Sequence, residues 1–385
     1  MVYHCSPSGL RPLVQFGLQA LALAAPLAAA PVAAQPLERL LETWPKLTET
    51  AAVSGQRLAL SSANPFTLQA LANGVNGRTG PEALGPVAQT GEGLLFLPAD
   101  ASEAAAVPAV ILLHGARGVS SAREMTYARQ FATMGIAALV IDSFRPRREL
   151  ASSFTERLIE ITEGMILADV FAAQKALAAR PEIDAERIAL IGFSYGGMVS
   201  LYAAHRQVAT AYRRYFEMVH LPPLRAHVAF YAPCIARFED TRASGAPVLM
   251  MWGDQDELID AERCRATAAD LRAGGAEVET IEFPGAYHQW DGNLETPWRA
   301  PRSLVGCAFT VEPDGTIKGK LPGTPFHQTM EDSLSRKLIL ALCSDGDGYL
   351  VGKNAAVRVQ SNRALGRFLV EAFRSEEFSN RDDIR

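Results

Sequence analysis

The chain has 385 residues, with 37 Lys and Arg against 42 Asp and Glu and a formal net charge of -5. Hydrophobic residues make up 48% and charged residues 21%, which excludes a disordered chain, a collagen-like repeat and a polytopic membrane protein. The mild acidity and the lack of long Lys/Arg runs argue against a nucleic-acid partner.

Met1 to Ala34 carries one charge, Arg11, then an apolar run from Leu13 to Ala34, with small residues at Val32 and Ala34. This is the pattern of a secretory signal peptide cut after Ala34. Pro26 and Pro31 interrupt the run and no stop-transfer cluster follows, which disfavours a membrane anchor. The expectation is an exported protein, periplasmic or secreted, with no membrane association once residues 1–34 are removed. Residues 35–385 then form a single domain.

Residues 37–48 read as a short helix running into Pro45. Residues 54–93 read as loop, with Asn73-Gly74, Asn76-Gly77 and Gly80-Pro81 as turn signals, flanked by antiparallel strands at Arg57–Ser61 and Gly91–Leu97. Ala109-Val110-Ile111-Leu112-Leu113 is an unbroken apolar run, as in a strand buried on both faces. A helix from Ala122 to Met134 leads to a second such strand, Ile136–Ile141. A long helix over 156–179 follows, then a third buried strand at Arg187–Ile191 and a helix from Tyr195. Further strands fit Ala226–Tyr231, Val248–Trp252 and Glu277–Phe283, with a helix over 261–273. This alternation implies an α/β fold with a mostly parallel sheet covered by helices. Residues 289–354 break the rhythm as an insert, and 355–373 resume as a closing helix.

Ile191-Gly192-Phe193-Ser194-Tyr195-Gly196-Gly197 reads strand, tight turn, helix, and carries G-x-S-x-G at 192–196. A serine on such a turn is pushed out of the sheet, and the Tyr195 N–H at the helix start becomes a donor for a developing oxyanion. Serine needs a base and an orienting carboxylate, which in this architecture follow in the order acid, then histidine. Val248–Trp252 ends in Gly253-Asp254-Gln255-Asp256, and Asp256 is the chosen acid, with Asp254 its rival and more naturally a turn former. After Glu277–Phe283 comes Gly285-Ala286-Tyr287-His288, which makes His288 the base. The loop Leu113-His114-Gly115-Ala116 supplies a second oxyanion donor, assigned to Ala116, with Gly115 and Arg117 as alternatives and His114 as a brace.

Together with Ile141-Asp142-Ser143-Phe144, these segments resemble the dienelactone hydrolase family of α/β-hydrolases over most of residues 56–290. The resemblance implies an α/β-hydrolase fold, a Ser194–Asp256–His288 triad, and hydrolysis of a small-molecule ester or lactone without metal or cofactor. The founding enzymes carry cysteine at the nucleophile and this chain carries serine, so the resemblance implies esterase chemistry rather than dienelactone turnover. Related enzymes bind substrate carboxylates with arginines near the position of Arg145, Arg147 and Arg148; Arg145 is the substrate-binding candidate, against a plain solvated loop. The same acyl chemistry would serve a peptidase or thioesterase, and a non-catalytic exported binding protein is the rival from another class.

In the insert, Pro313-Asp314-Gly315 between two apolar stretches signals a hairpin, and the segment could wall or lid the pocket. Trp290 and Trp298 either line that wall or pack the insert, with packing the preferred reading. Asp345-Gly346-Asp347-Gly348 reads as a turn rather than a calcium loop. Four cysteines remain after export, none in a C-x-x-C pair or at zinc-like spacing from histidine. Strand ends predict Cys234–Cys264, and shared membership of the insert predicts Cys307–Cys343.

Overall fold

A computed structural model describes residues 35–75, 87–320 and 326–374; the expected signal peptide, residues 1–34, lies outside the described residues. Among these, no helix is long and apolar enough to cross a membrane.

The helix expected over 37–48 is only α1 (Gln35–Arg39), followed by a 3-10 turn at Leu47–Glu49. Pro45 disfavours helical backbone at Trp44. Leu37, Leu40 and Trp44 instead sink separately into the core, and the Trp44 indole N–H donates to the Leu40 carbonyl. The turn signals Asn76-Gly77 and Gly80-Pro81 of the expected loop over 54–93 lie outside the described residues, but the described part of that span is regular. It holds β1 (Gln56–Asn64), α2 (Leu68–Val75) and β2 (Val87–Phe96), with the two strands paired antiparallel. Burial of Leu68 and Leu71 overrides the helix-breaking Asn73-Gly74.

The central strands follow their apolar runs. These are β3 (Val107–Leu113), β4 (Ala137–Ile141), β5 (Ile183–Phe193), β6 (Ala226–Phe230), β8 (Val248–Gly253) and β9 (Val278–Phe283), while the short β7 (Ala236–Phe238) lies outside the central sheet. An eight-stranded sheet runs in the order β1-β2-β4-β3-β5-β6-β8-β9, parallel from β4 to β9 and antiparallel where β2 meets β1 and β4. Strand side chains alternate between faces. Ala109, Ile111 and Leu113 therefore join one core with α5 (Glu163–Ala178), α6 (Tyr195–Ala203) and α7 (Arg206–Tyr215). Val110 and Leu112 join the other, with α1, α3 (Glu124–Thr133) and α10 (Ala355–Arg374). The result is a three-layer α/β/α arrangement, with α8 (Ala261–Ala273) covering β8.

The single helix expected over 156–179 is two, α4 (Phe154–Glu160) and α5. Ile161 is extended, and the Thr162 hydroxyl accepts from the Met165 N–H as the cap of a new helix. Arg147, far from being a solvated loop residue, is buried in a bidentate pair with Asp169 at 2.7 and 2.9 Å, and it also donates to Asn64 and to the Ser143 carbonyl.

The insert builds two small sheets. In one, β10 (Trp298–Ala300) pairs with β14 (Tyr349–Val351). In the other, β11 (Phe309–Val311) and β12 (Ile317–Lys320) form the expected hairpin, flanked by β13 (His327–Thr329) and by β7 from the main body. The helix α9 (Ser333–Cys343) docks through Arg336, whose guanidinium pairs with Glu163 at 2.8 and 2.9 Å and donates to the Leu158 carbonyl. Both expected disulfides are formed, Cys234–Cys264 and Cys307–Cys343. Asp345 to Gly348 is a turn, with the Asp345 carboxylate accepting from the Asp347 N–H.

Candidate active site

Four connections at the C-terminal edge of the sheet converge. At the end of β5, Ser194 stands at φ 55°, left-handed for a non-glycine residue, in the turn before α6. Such a turn requires glycine on both sides. A Cβ at residue 192 would stand 2.0 Å from the Gly196 carbonyl, and one at residue 196 would stand 2.7 Å from the Leu113 and His114 carbonyls. The Ser194 N–H donates to the Phe230 carbonyl of β6, which fixes the turn against the next strand.

After β8 the chain turns at Gly253, where a Cβ would collide with the Ala286 carbonyl at 2.0 Å. The loops after β8 and β9 are thereby pressed together: the Asp254 N–H donates to Phe283 and the Gln255 N–H to Ala286. Asp256 and His288 meet across this contact. His288 Nδ1 lies 2.7 Å from Asp256 Oδ2, and His288 Nε2 lies 2.9 Å from Ser194 Oγ. The other Asp256 oxygen accepts from the Leu258 N–H at 3.1 Å. All three side chains are buried. With Nδ1 facing a carboxylate, the proton sits there, and Nε2 is left as acceptor for the serine hydroxyl. The rival acid, Asp254, instead accepts from the Gly285 N–H at 2.7 Å and acts as a loop tie.

The β3 loop closes the third side. A Cβ at Gly115 would stand 3.4 Å from the Ser194 Cβ, so the backbone leading to Ala116 runs beside the hydroxyl. Tyr195 opens α6, where first-turn N–H groups have no intrahelical partner. His114 braces this loop as its position suggested, Nε2 accepting from the Ser143 N–H and Nδ1 donating to the Gly115 carbonyl. Arg145 follows β4 on the same edge; its half-exposed guanidinium lies 3.4 Å from Glu92. Trp290 packs as expected, fully buried, with its N–H on Ser361, whereas Trp298 is 41% exposed, with Arg117 stacked 4.8 Å from its ring centroid.

Sequence reasoning did not single out Tyr231 and Tyr349, whose rings stand against the His288 imidazole. The one sequence signal for Tyr231 is its place just past a buried parallel strand, where sites of open α/β sheets gather. Tyr349 has no local signal.

A family model described as the dienelactone hydrolase family matches residues 92–295. A probable 2-oxo-3-(5-oxofuran-2-ylidene)propanoate lactonase of Bradyrhizobium sp is 24% identical over 207 residues, covering 50% of this chain and 77% of that protein. A putative carboxymethylenebutenolidase of Salmonella typhimurium is 26% identical over 166 residues, covering 40% of this chain and 54% of its own length. The chain thus spans about half the length of that second relative. Among solved structures, a dienelactone hydrolase-like promiscuous phosphotriesterase from metagenomic libraries superposes with a TM-score of 0.50 at 17% identity, over 83% of this chain and 99% of that one. That likeness carries the fold, and the family match, which takes in β3 through β9 and spans more than half of the sequence, carries the lineage: the chain belongs to the dienelactone hydrolase family.

Proposed function

We propose that this protein is an exported serine hydrolase that cleaves small carboxylic esters or lactones through an acyl-enzyme. The observation that carries the reading is the unbroken hydrogen-bonded run from Ser194 Oγ through His288 to Asp256, at 2.9 and 2.7 Å, on a strained strand–helix turn. His288 takes the hydroxyl proton as Ser194 attacks the acyl carbonyl, and Asp256 holds the imidazole tautomer and steadies the imidazolium. The Tyr195 and Ala116 N–H groups receive the oxyanion, each worth roughly 3 kcal/mol of transition-state stabilisation. His288 then protonates the leaving alcohol, and water releases the acid by the same path in reverse. Residues 35–385 act as a single hydrolase domain bearing the insert 289–354, and the two disulfides support function in an oxidising compartment.

The deciding experiment is p-nitrophenyl ester turnover and fluorophosphonate labelling of the mature chain. Ser194→Ala abolishes both while leaving the circular dichroism spectrum unchanged; persistent turnover in that variant refutes the assignment. Arg145 is the substrate-facing cation in this reading. Its contact with Glu92 is exposed, and an incoming carboxylate displaces it at a cost below about 1 kcal/mol. Arg145→Ala lowers turnover of an acidic ester relative to a neutral one; an unchanged ratio removes the role.

A further inference from the structure

Segment 289–354 is tied to the histidine by its backbone. The His288 N–H donates to the Leu350 carbonyl at 3.2 Å, and the Gly352 N–H donates to the His288 carbonyl at 3.1 Å, so β14 bridges the histidine in parallel register. Glu257, next in the chain to Asp256, accepts from the Leu350 N–H at 3.0 Å and holds Arg299 of β10 at 2.8 and 3.0 Å. One run of hydrogen bonds therefore joins the acid loop, both strands of the small sheet and the histidine backbone.

The side chains add a second constraint. Hydrogen bonds at Nδ1 and Nε2 fix the imidazole along one axis but leave it free to tilt about that axis. Two aromatic rings oppose the tilt: Tyr349, with ring centroids 5.0 Å apart and planes at 81°, and Tyr231, at 4.8 Å and 63°. Tyr231 is itself held at both ends. Its N–H donates to the Met251 carbonyl, and its phenol donates to the fully buried Asp291 at 2.6 Å. It sits at φ 38°, a backbone setting that a bulky residue keeps only when its surroundings impose it.

We propose that Tyr349 and Tyr231 are positioning residues that hold the His288 imidazole between Asp256 and Ser194, and that the small sheet of β10 and β14 is for this reason a fixed support of the histidine. The proposal rests on the triad reading above. Burial and the nearby Asp256 carboxylate push the phenol of Tyr349 up to about 12, so it keeps its proton at neutral pH. What the position requires is the ring and not the hydroxyl.

The experiment compares Tyr349→Phe, Tyr349→Leu and Tyr349→Met in the full mature chain. Two readouts are taken: kcat and KM for p-nitrophenyl butyrate per fluorophosphonate-titrated site, and the low-field proton resonance of His288 Nδ1–H. Misplacement of a reacting group by about 1 Å costs on the order of a hundredfold in rate. The Leu and Met variants are therefore expected to lose roughly ten- to a hundredfold in kcat, with KM within about twofold and the resonance broadened or lost. Tyr349→Phe keeps both readouts at the wild-type level. A merely structural ring would change the titratable fraction and melting temperature, but not kcat per labelled site. Wild-type kcat and a sharp resonance in either ringless variant overturn the proposal, and two ringless side chains guard against one failing to fold. Should the wild-type protein turn over no ester, the triad reading falls by itself, and the resonance in the ringless variants still decides the role of Tyr349.

Discussion

Lowering the pH from about 7.5 to 5 should cost this protein roughly 4 kcal/mol of stability through two histidines that lie outside the candidate site. His227 on β6 and His205 before α7 are buried, and each has an Nδ1 without a hydrogen-bond partner. Burial lowers His205 to about 4 against the pull of the Asp240 backbone and of the Asp240 and Asp270 carboxylates; burial, and then the neighbouring His205, lower His227 to about 3. Both values lie below the unfolded value of about 6.5. Between about pH 6.5 and 4 the unfolded chain therefore binds protons that the folded chain refuses. Stability is fully present above that window and is lost as pH falls through it. Integrating from about pH 7.5 to 5 gives about 2 kcal/mol for each histidine. Urea unfolding at a series of pH values measures the slope, and His227→Leu, which removes one titrating site, should reduce it by about half. A free energy flat to within about 1 kcal/mol over that range, or an unchanged slope in the variant, refutes the reasoning.

Two further outcomes follow from the way the insert is anchored. Arg336→Ala leaves the Glu163 carboxylate buried without its bidentate partner, which should cost about 3–5 kcal/mol in chemical denaturation, whereas Arg336→Leu with Glu163→Leu should recover part of that loss. A loss under about 1 kcal/mol for the single variant would mean that the pair is not buried as described. Removing Cys307–Cys343 by paired alanine substitution opens a loop closed over a separation of 36 residues, and a chain-entropy cost of about 4 kcal/mol is expected in the denaturation midpoint. An unshifted midpoint would show that the bridge does not restrain the unfolded chain.

The difference between what could be read from the sequence and what could not has a physical cause. Ser194 is announced by its own neighbours, because only glycine at 192 and 196 lets the backbone carbonyls pass so close. Asp256 and His288 are legible because short loops must follow apolar strands at the same sheet edge, and the pressed contact at Gly253 leaves them little room to stand elsewhere. The split between α4 and α5 was not legible, since Ile161-Thr162 is no breaker by composition and the break lies in one side-chain cap. The insert was least legible, because its order comes from distant pairings: β7 beside β11, Arg336 on Glu163, Leu350 between Glu257 and His288. A residue that performs chemistry on a tight turn carries its constraints in its adjacent residues. A residue such as Tyr349, which only has to stand against a ring supplied by another part of the chain, leaves no local pattern. A position whose only part is to steady a distant ring is therefore one that a sequence pattern passes over: Tyr349 sits in the segment whose rhythm broke the α/β alternation, while Tyr231, just past β6, is marked by nothing beyond its place at a strand end.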